Sequence, residues 1–222
     1  MSVVTALAVT FACAPAHATE RGPRVVTALR EALRVAVERG VASTGRTDGF
    51  YGDPAIRIGV PSPLGRVESA LRMAGQDRIV DRFAESLNRV AEHSVPATRA
   101  ALLTAAAEVP LDDGHRVLTG GETAATEALQ RYALGRVITA LNPAVASMMD
   151  QVGATRRYKR FMKDAHFGGL VQAPNLDLDA FVVGRTVDGL FHAIGQEERR
   201  IRLTPAARTT PLLREVFGRD HR

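Results

Sequence analysis

The sequence predicts an all-α fold from three observations: proline sits where helices begin, apolar residues recur at helical spacing, and aromatic residues are scarce. Proline follows a capping residue at Ser62-Pro63, Asn142-Pro143, Thr204-Pro205 and Thr210-Pro211. That pairing suits a helix start, whereas a proline in a strand removes a ladder donor. Aromatics make up 5% of the 222 residues and Trp is absent, so the core must be built from Leu, Val, Ile and Ala, which suits closely packed helices. A hydrophobic content of 45% supports one substantial core, and this length does not require two. A single compact domain over 19–222 with roughly eight to ten helices is therefore expected, with irregular loops near 43–61 and 168–176.

The first helix is read from Val25, Leu29, Leu33, Val37 and Val41, an apolar line with Arg30, Glu31, Arg34 and Glu38 off it and Pro23 in the first turn. The Gly- and Pro-containing stretch Ser43 to Pro61 follows. Its alternation at Ile56, Ile58 and Val60 predicts one extended piece within an ordered loop. Ser62-Pro63 then opens a helix with Leu64, Val67 and Leu71 inward and Gly75 as its stop. Ile79, Val80, Phe83, Leu87 and Val90 mark the next helix, reaching toward Pro96, and Leu102 and Leu103 mark an Ala-rich one. Gly120-Gly121 separates Val117-Leu118 from a helix opening at Thr123, which carries Leu129, Tyr132, Val137 and Leu141. Asn142-Pro143 is expected to start a separate short helix holding Val145, Met148, Met149 and Val152 and closed by Gly153. After the second loop, Asp177 caps the longest periodic segment, with Phe181, Val182, Val187, Leu190, Phe191, Ile194 and Ile201. Leu212, Leu213, Val216 and Phe217 form a last helix ended by Gly218, and no fixed-period repeat suggests a solenoid.

The apolar stretch Val3 to Ala14 ends in Ala16-His17-Ala18, a small-x-small pattern that predicts a signal peptide over 1–18 and a periplasmic mature chain. Cleavage after Ala18 removes the sole cysteine, Cys13, which excludes disulfides, thiolate nucleophiles and Cys-ligated zinc. A lipoprotein acylated at Cys13 is the less favoured reading, because Thr10-Phe11-Ala12 lacks the aliphatic residue that such signals carry three positions earlier. No other segment is long enough to span a bilayer.

The net charge is +5, and the cations are nearly all Arg, Lys occurring only at 159 and 163. Asp and Glu are interspersed with them, so charge alone selects no partner. The densest basic segment holds Arg156, Arg157, Lys159, Arg160 and Lys163, interleaved with Tyr158, Phe161 and Met162. A basic face with an apolar stripe suits contact with an anionic surface, but an ordinary bundle helix shows the same stripe pointed into the core.

Other candidate positions are polar residues in places that demand a partner. Gly120, Gly121 and Thr123, with Thr126 one turn on, open a helix whose free N–H groups suit an anion, although Glu122 opposes one and no Lys follows as a phosphate loop requires. Glu198 falls four residues after Ile194 and three before Ile201, on or beside the apolar face, where a carboxylate needs a cation or hydrogen bonds. Arg202 is one turn away, and Arg208 or Arg89 are further candidates to reach it. Asn88 and Glu92, also one turn apart, fit buried polar bonding by the same argument. Six histidines show no metal spacing, and the Asp188 and His192 pair supplies half a site at most. The sequence has no nucleophile elbow, dinucleotide fingerprint or Walker loop. No metal or cofactor is called for.

Several stretches together resemble the bacterial domain of unknown function 4197 family. They are Asp48-Gly49-Phe50 with the segment Ile56 to Leu64, Asn88-Arg89-Val90-Ala91-Glu92, Gly120 through Thr126, Val152-Gly153-Ala154-Thr155, Asp188-Gly189-Leu190-Phe191, and Glu197-Glu198 through Ile201-Arg202 to Ala207-Arg208-Thr209-Thr210. The resemblance implies an exported helical protein with no assigned activity. Ala128-Leu129 stand where the family often has aromatics, which weakens any ligand-stacking role at that helix.

The sequence thus points to a non-enzymatic envelope module that binds a partner protein, an envelope lipid or a small apolar ligand between its helices. The alternatives are a signature-less enzyme using Glu92 and Glu198 with arginine partners, and association of 156–163 with an anionic membrane surface. Nucleic acid is not an expected partner.

Overall fold

Three long helices carry the core of the computed structural model, which describes residues 21–111, 114–166 and 176–218. The expected signal segment with Cys13, and the second loop as far as Asn175, lie outside the described residues. In chain order the helices are α1 (Arg21–Thr44), α2 (Gly65–Met73), α3 (Asp77–Ser94), α4 (Arg99–Glu108), α5 (Gly114–Thr119), α6 (Ala124–Gln151), α7 (Ala154–His166), α8 (Leu178–Leu203) and α9 (Pro211–Phe217). Short 3-10 turns lie at Ser62–Leu64, Val95–Thr98 and Pro205–Ala207, and no strand occurs among the described residues. The fold is all-α.

The long helices owe their positions to apolar stripes. On α6, Ala125, Leu129, Ala133, Val137, Leu141, Val145 and Met149 recur every fourth residue and are all buried. On α1 the predicted line from Leu29 through Val41 is buried in the same way. Helix α8 lies between them, packed on both. Its close approach to α1 depends on Gly40, where an added Cβ would stand 2.8 Å from Ile194 Cγ1, nearer than packed carbons approach. Helices α4, α5 and α9 also pack on α1, and α7 packs on α3. Buried residues from every helix join one core.

Asn142-Pro143 does not divide two helices, because α6 runs unbroken through it. An interior proline costs about 3 kcal/mol, but the stripe continues in register on both sides of it, with Leu141 and Val145 fully buried. Each such burial is worth about 1.5–3 kcal/mol. Pro143 faces solvent, so the carbonyl deprived of its amide partner has water available.

Two more expected caps differ in detail. Ser62 is the first residue of a 3-10 turn whose cap position is held by Pro61, Thr204 caps its 3-10 turn without a side-chain bond, and neither proline opens an α-helix directly. Asp177 and Thr210 do cap, accepting from Ala180 N at 2.9 Å and Leu213 N at 3.3 Å. Gly75 and Gly153 end their helices with φ of 72° and 76°, a region that L side chains avoid. The alternation expected from Ile56 begins within a turn, where Ile56 N and Arg57 N both donate to Asp53 O, and the backbone from Arg57 to Val60 forms neither helix nor strand, with Ile56 and Ile58 buried and Arg57 exposed. That backbone pairs with a side chain rather than with a strand.

Candidate functional site

That pairing comes from Asn88 on α3. Its amide oxygen accepts from Ile58 N at 2.8 Å and its amide nitrogen donates to Ile58 O at 2.8 Å, so one side chain satisfies both backbone groups of a buried residue. One turn later, Glu92 Oε1 accepts from Phe50 N and Tyr51 N, each at 3.0 Å, and Oε2 accepts from Arg89 at 2.7 Å. Asn88 and Glu92 are fully buried. The loop 45–61 thereby gains fixed partners for a backbone that forms neither helix nor sheet. Burial opposes the charge on Arg89, yet the hydrogen bonds it donates to Glu92 and Asp48 outweigh that cost and hold the guanidinium above its ordinary range. Arg89 serves Glu92 and does not reach Glu198.

The second buried carboxylate does the equivalent for two helix ends. Glu198, 1% exposed, points from α8 at the start of α6, where Oε1 accepts from Ala125 N at 3.1 Å and Oε2 from Thr126 N at 2.7 Å. Arg202 donates to the same carboxylate, Nε to Oε1 at 2.9 Å, and its other nitrogens donate to Leu118 O at 2.7 Å and Val117 O at 3.1 Å. One ion pair thus joins the end of α5 to the beginning of α6, negative charge on donors and positive charge on acceptors. Arg208 supports Arg202 indirectly, donating to Ile201 O at 3.0 Å and Arg202 O at 2.9 Å at the end of α8.

The anion expected at the Gly120, Gly121, Thr123 turn is therefore supplied by the chain itself. Thr123 holds the N-cap position, but its hydroxyl donates to Glu127 at 2.9 Å, leaving the amides to Glu198. Beside this junction lies a cleft of about 300 Å³ lined by Thr123, Thr126, Glu127, Gln130, Asp188, Phe191, His192, Gly195 and Gln196. Thr126 Oγ1 is buried there without a hydrogen-bond partner. Among the described residues no group of three or more acidic, His or Cys side chains is placed to hold a metal.

Glu92 and Glu198 do not suit proton transfer. Both oxygens of each are engaged by fixed donors, and neither faces an open cleft where a substrate proton would come within hydrogen-bond reach.

A groove of about 780 Å³ lies elsewhere, between α1, α4 and the start of α9. Leu103, Ala107, Pro211 and Leu212 form its apolar walls, and Thr27, Arg30, Glu31, Arg34 and Glu38 form its α1 side. This is the volume range of small-molecule sites. Arg34 donates to both Glu31 oxygens at 2.9 Å and to Glu38 at 3.3 Å, and Arg99 donates to Glu38 at 3.1 Å. The hydrogen bonds from Arg34 hold the Glu31 carboxyl below the usual carboxylate range, against the opposing cost of burial. In the sequence Arg30, Glu31, Arg34 and Glu38 fall off the apolar line of α1. Their spacing placed them together, but the opposite walls come from parts of the chain far away in sequence.

The basic segment lies on α7 with its stripe turned inward. Phe161 and Met162 are buried, and Phe161 packs on Phe83 with ring centroids 5.0 Å apart. Arg156, Arg157, Lys159, Arg160 and Lys163 are exposed, and none forms an ion pair with a described residue.

The profile of the family described as "Protein of unknown function (DUF4197)" matches residues 21–218, and the chain belongs to that family. No curated protein and no solved structure matches it.

Removing the charge of Glu198 strands Arg202, whose side chain is 9% exposed, and breaking a buried pair in this way costs about 3–5 kcal/mol. Glu198→Gln is expected to lower the denaturant midpoint accordingly; an unchanged midpoint would show that the pair does not hold α5, α6 and α8 together.

Proposed function

We propose that this DUF4197 chain is a non-enzymatic binding module that takes a small apolar ligand in the groove between α1, α4 and α9. The carrying observation is a division of labour. The buried carboxylates are consumed by the chain's own backbone and arginines, while the groove between α1, α4 and α9 sets apolar walls opposite an α1 side whose two carboxylates are already engaged by arginines. A hydrolytic or acid–base enzyme would show the reverse, with free carboxylates converging in an open cleft. The compartment belongs to the same reading: the apolar stretch Val3 to Ala14, ending at Ala16-His17-Ala18, supports export to the periplasm with cleavage after Ala18.

Native mass spectrometry of the chain purified from its own envelope is expected to show retained mass beyond the polypeptide. Ala107→Trp, at an exposed wall position, fills the groove and is expected to lose that mass while keeping its helicity. A bare wild-type chain, or a ligand kept by Ala107→Trp, would contradict the reading.

A second reading has its own observation. Five exposed cations on α7 that form no ion pair with a described residue suit an anionic phospholipid surface, with attraction of about 1 kcal/mol per residue at the surface. Because Phe161 and Met162 are already used in the core, contact would be electrostatic and would not insert apolar side chains. Sedimentation with phosphatidylglycerol vesicles at low salt is expected, with loss at high salt and on Arg156→Glu/Arg160→Glu. Equal sedimentation with neutral vesicles would rule the reading out.

A further inference from the structure

Arg30 stands apart from the other charged groups of the α1 groove. Glu31 and Glu38 are both engaged by arginines, Arg34 holding the first through two nitrogens and sharing the second with Arg99. Arg30 has no carboxylate within ion-pair reach among the described residues. Among the described residues its one hydrogen bond is a long one, from a terminal nitrogen to Val109 O at 3.5 Å, and its Nε is buried with no partner among them. A partly buried guanidinium is always charged and is stabilised by a planar carboxylate that accepts from two of its nitrogens.

The groove side of α1 runs from Thr27 to Glu38, about 16 Å of helix. Arg30 sits toward one end, and Leu103, Ala107 and Leu212 line the walls. An occupant with a negative head at Arg30 can lay an aliphatic body along those walls, where burial of each methylene is favourable. A body carrying charge along its length would meet Glu31 and Glu38, already satisfied, and would gain nothing.

We infer that the groove selects a single-chain amphiphile with a carboxylate head, a fatty-acid-like ligand, and that Arg30 binds the head. This rests on the groove being the binding site, as proposed above. Arg30 is a binding residue, and the ligand's chain supplies most of the contact area. A charge-assisted, two-point contact of this kind separates a carboxylate from a neutral head by about tenfold or more in affinity.

The test titrates the full mature chain with dodecanoate, dodecanol and dodecylamine by calorimetry at one salt concentration. Wild type is expected to bind dodecanoate at least tenfold more tightly than dodecanol and to reject dodecylamine. Arg30→Gln is expected to bind dodecanoate no better than dodecanol, and Arg30→Lys to recover part of the preference, with helicity and melting temperature checked for each variant. Equal binding of dodecanoate and dodecanol by wild type would overturn the role of Arg30 and leave the groove reading standing. Failure of all three probes would overturn both. So would tight binding of an apolar peptide with a free carboxyl terminus when no amphiphile binds, or a chain dimer that Ala107→Trp dissociates, because the groove would then hold a polypeptide.

Discussion

Everything at one end of the bundle depends on a single carboxylate being placed where two amides need an acceptor. Glu198 is made by α8 but is used by α6, and Arg202 carries the connection to the last carbonyls of α5. Helix ends leave backbone groups without intrahelical partners, and at this junction water is excluded. The ion pair is favourable here because its remaining hydrogen-bonding positions are filled by backbone. A bare buried pair would barely repay its desolvation. Asn88 and Glu92 solve the matching problem at the loop 45–61, so the two buried polar sets share one logic: side chains from regular helices satisfy irregular backbone.

This explains why the residues that look most chemical in the sequence are the least available for chemistry. A glutamate on an apolar face is a reasonable catalytic candidate until its neighbours are known. Once three donors surround it, the ion is held, oriented and shielded, and nothing remains for a substrate. The groove along α1 shows the opposite economy. Its carboxylates and Arg34 neutralise one another at the rim, and what is left over is an apolar trough with one cation at its side.

Much of the fold was legible because it is local. The every-fourth-residue stripe of α1, the helical periodicity of α8, the left-handed glycines at 75 and 153, and the caps at Asp177 and Thr210 all follow from spacing and residue type. Pro143 was misread for a physical reason: a local rule about donors competes with a stripe whose burial continues on both sides of it, and the stripe wins. Glu198 with Arg202, and Asn88 with Glu92, were legible as pairs that needed partners. The partners were not, since Thr126 lies 72 residues from Glu198 and no short-range pattern encodes that approach. The groove was invisible for the same reason, being the polar side of one helix roofed by two distant ones.

The central claim is that the buried polar sets are frame and the α1 groove is the site. Hydrogen exchange read by mass spectrometry, on the chain alone and saturated with an apolar ligand, separates the two most directly. The account predicts that the amides of Phe50, Tyr51, Ala125 and Thr126 are strongly protected in both states, and that protection gained on loading is confined to α1, α4 and the start of α9. Protection that changes at 50–58 or 123–126 and leaves α1 untouched would place the ligand at the buried carboxylates and contradict it.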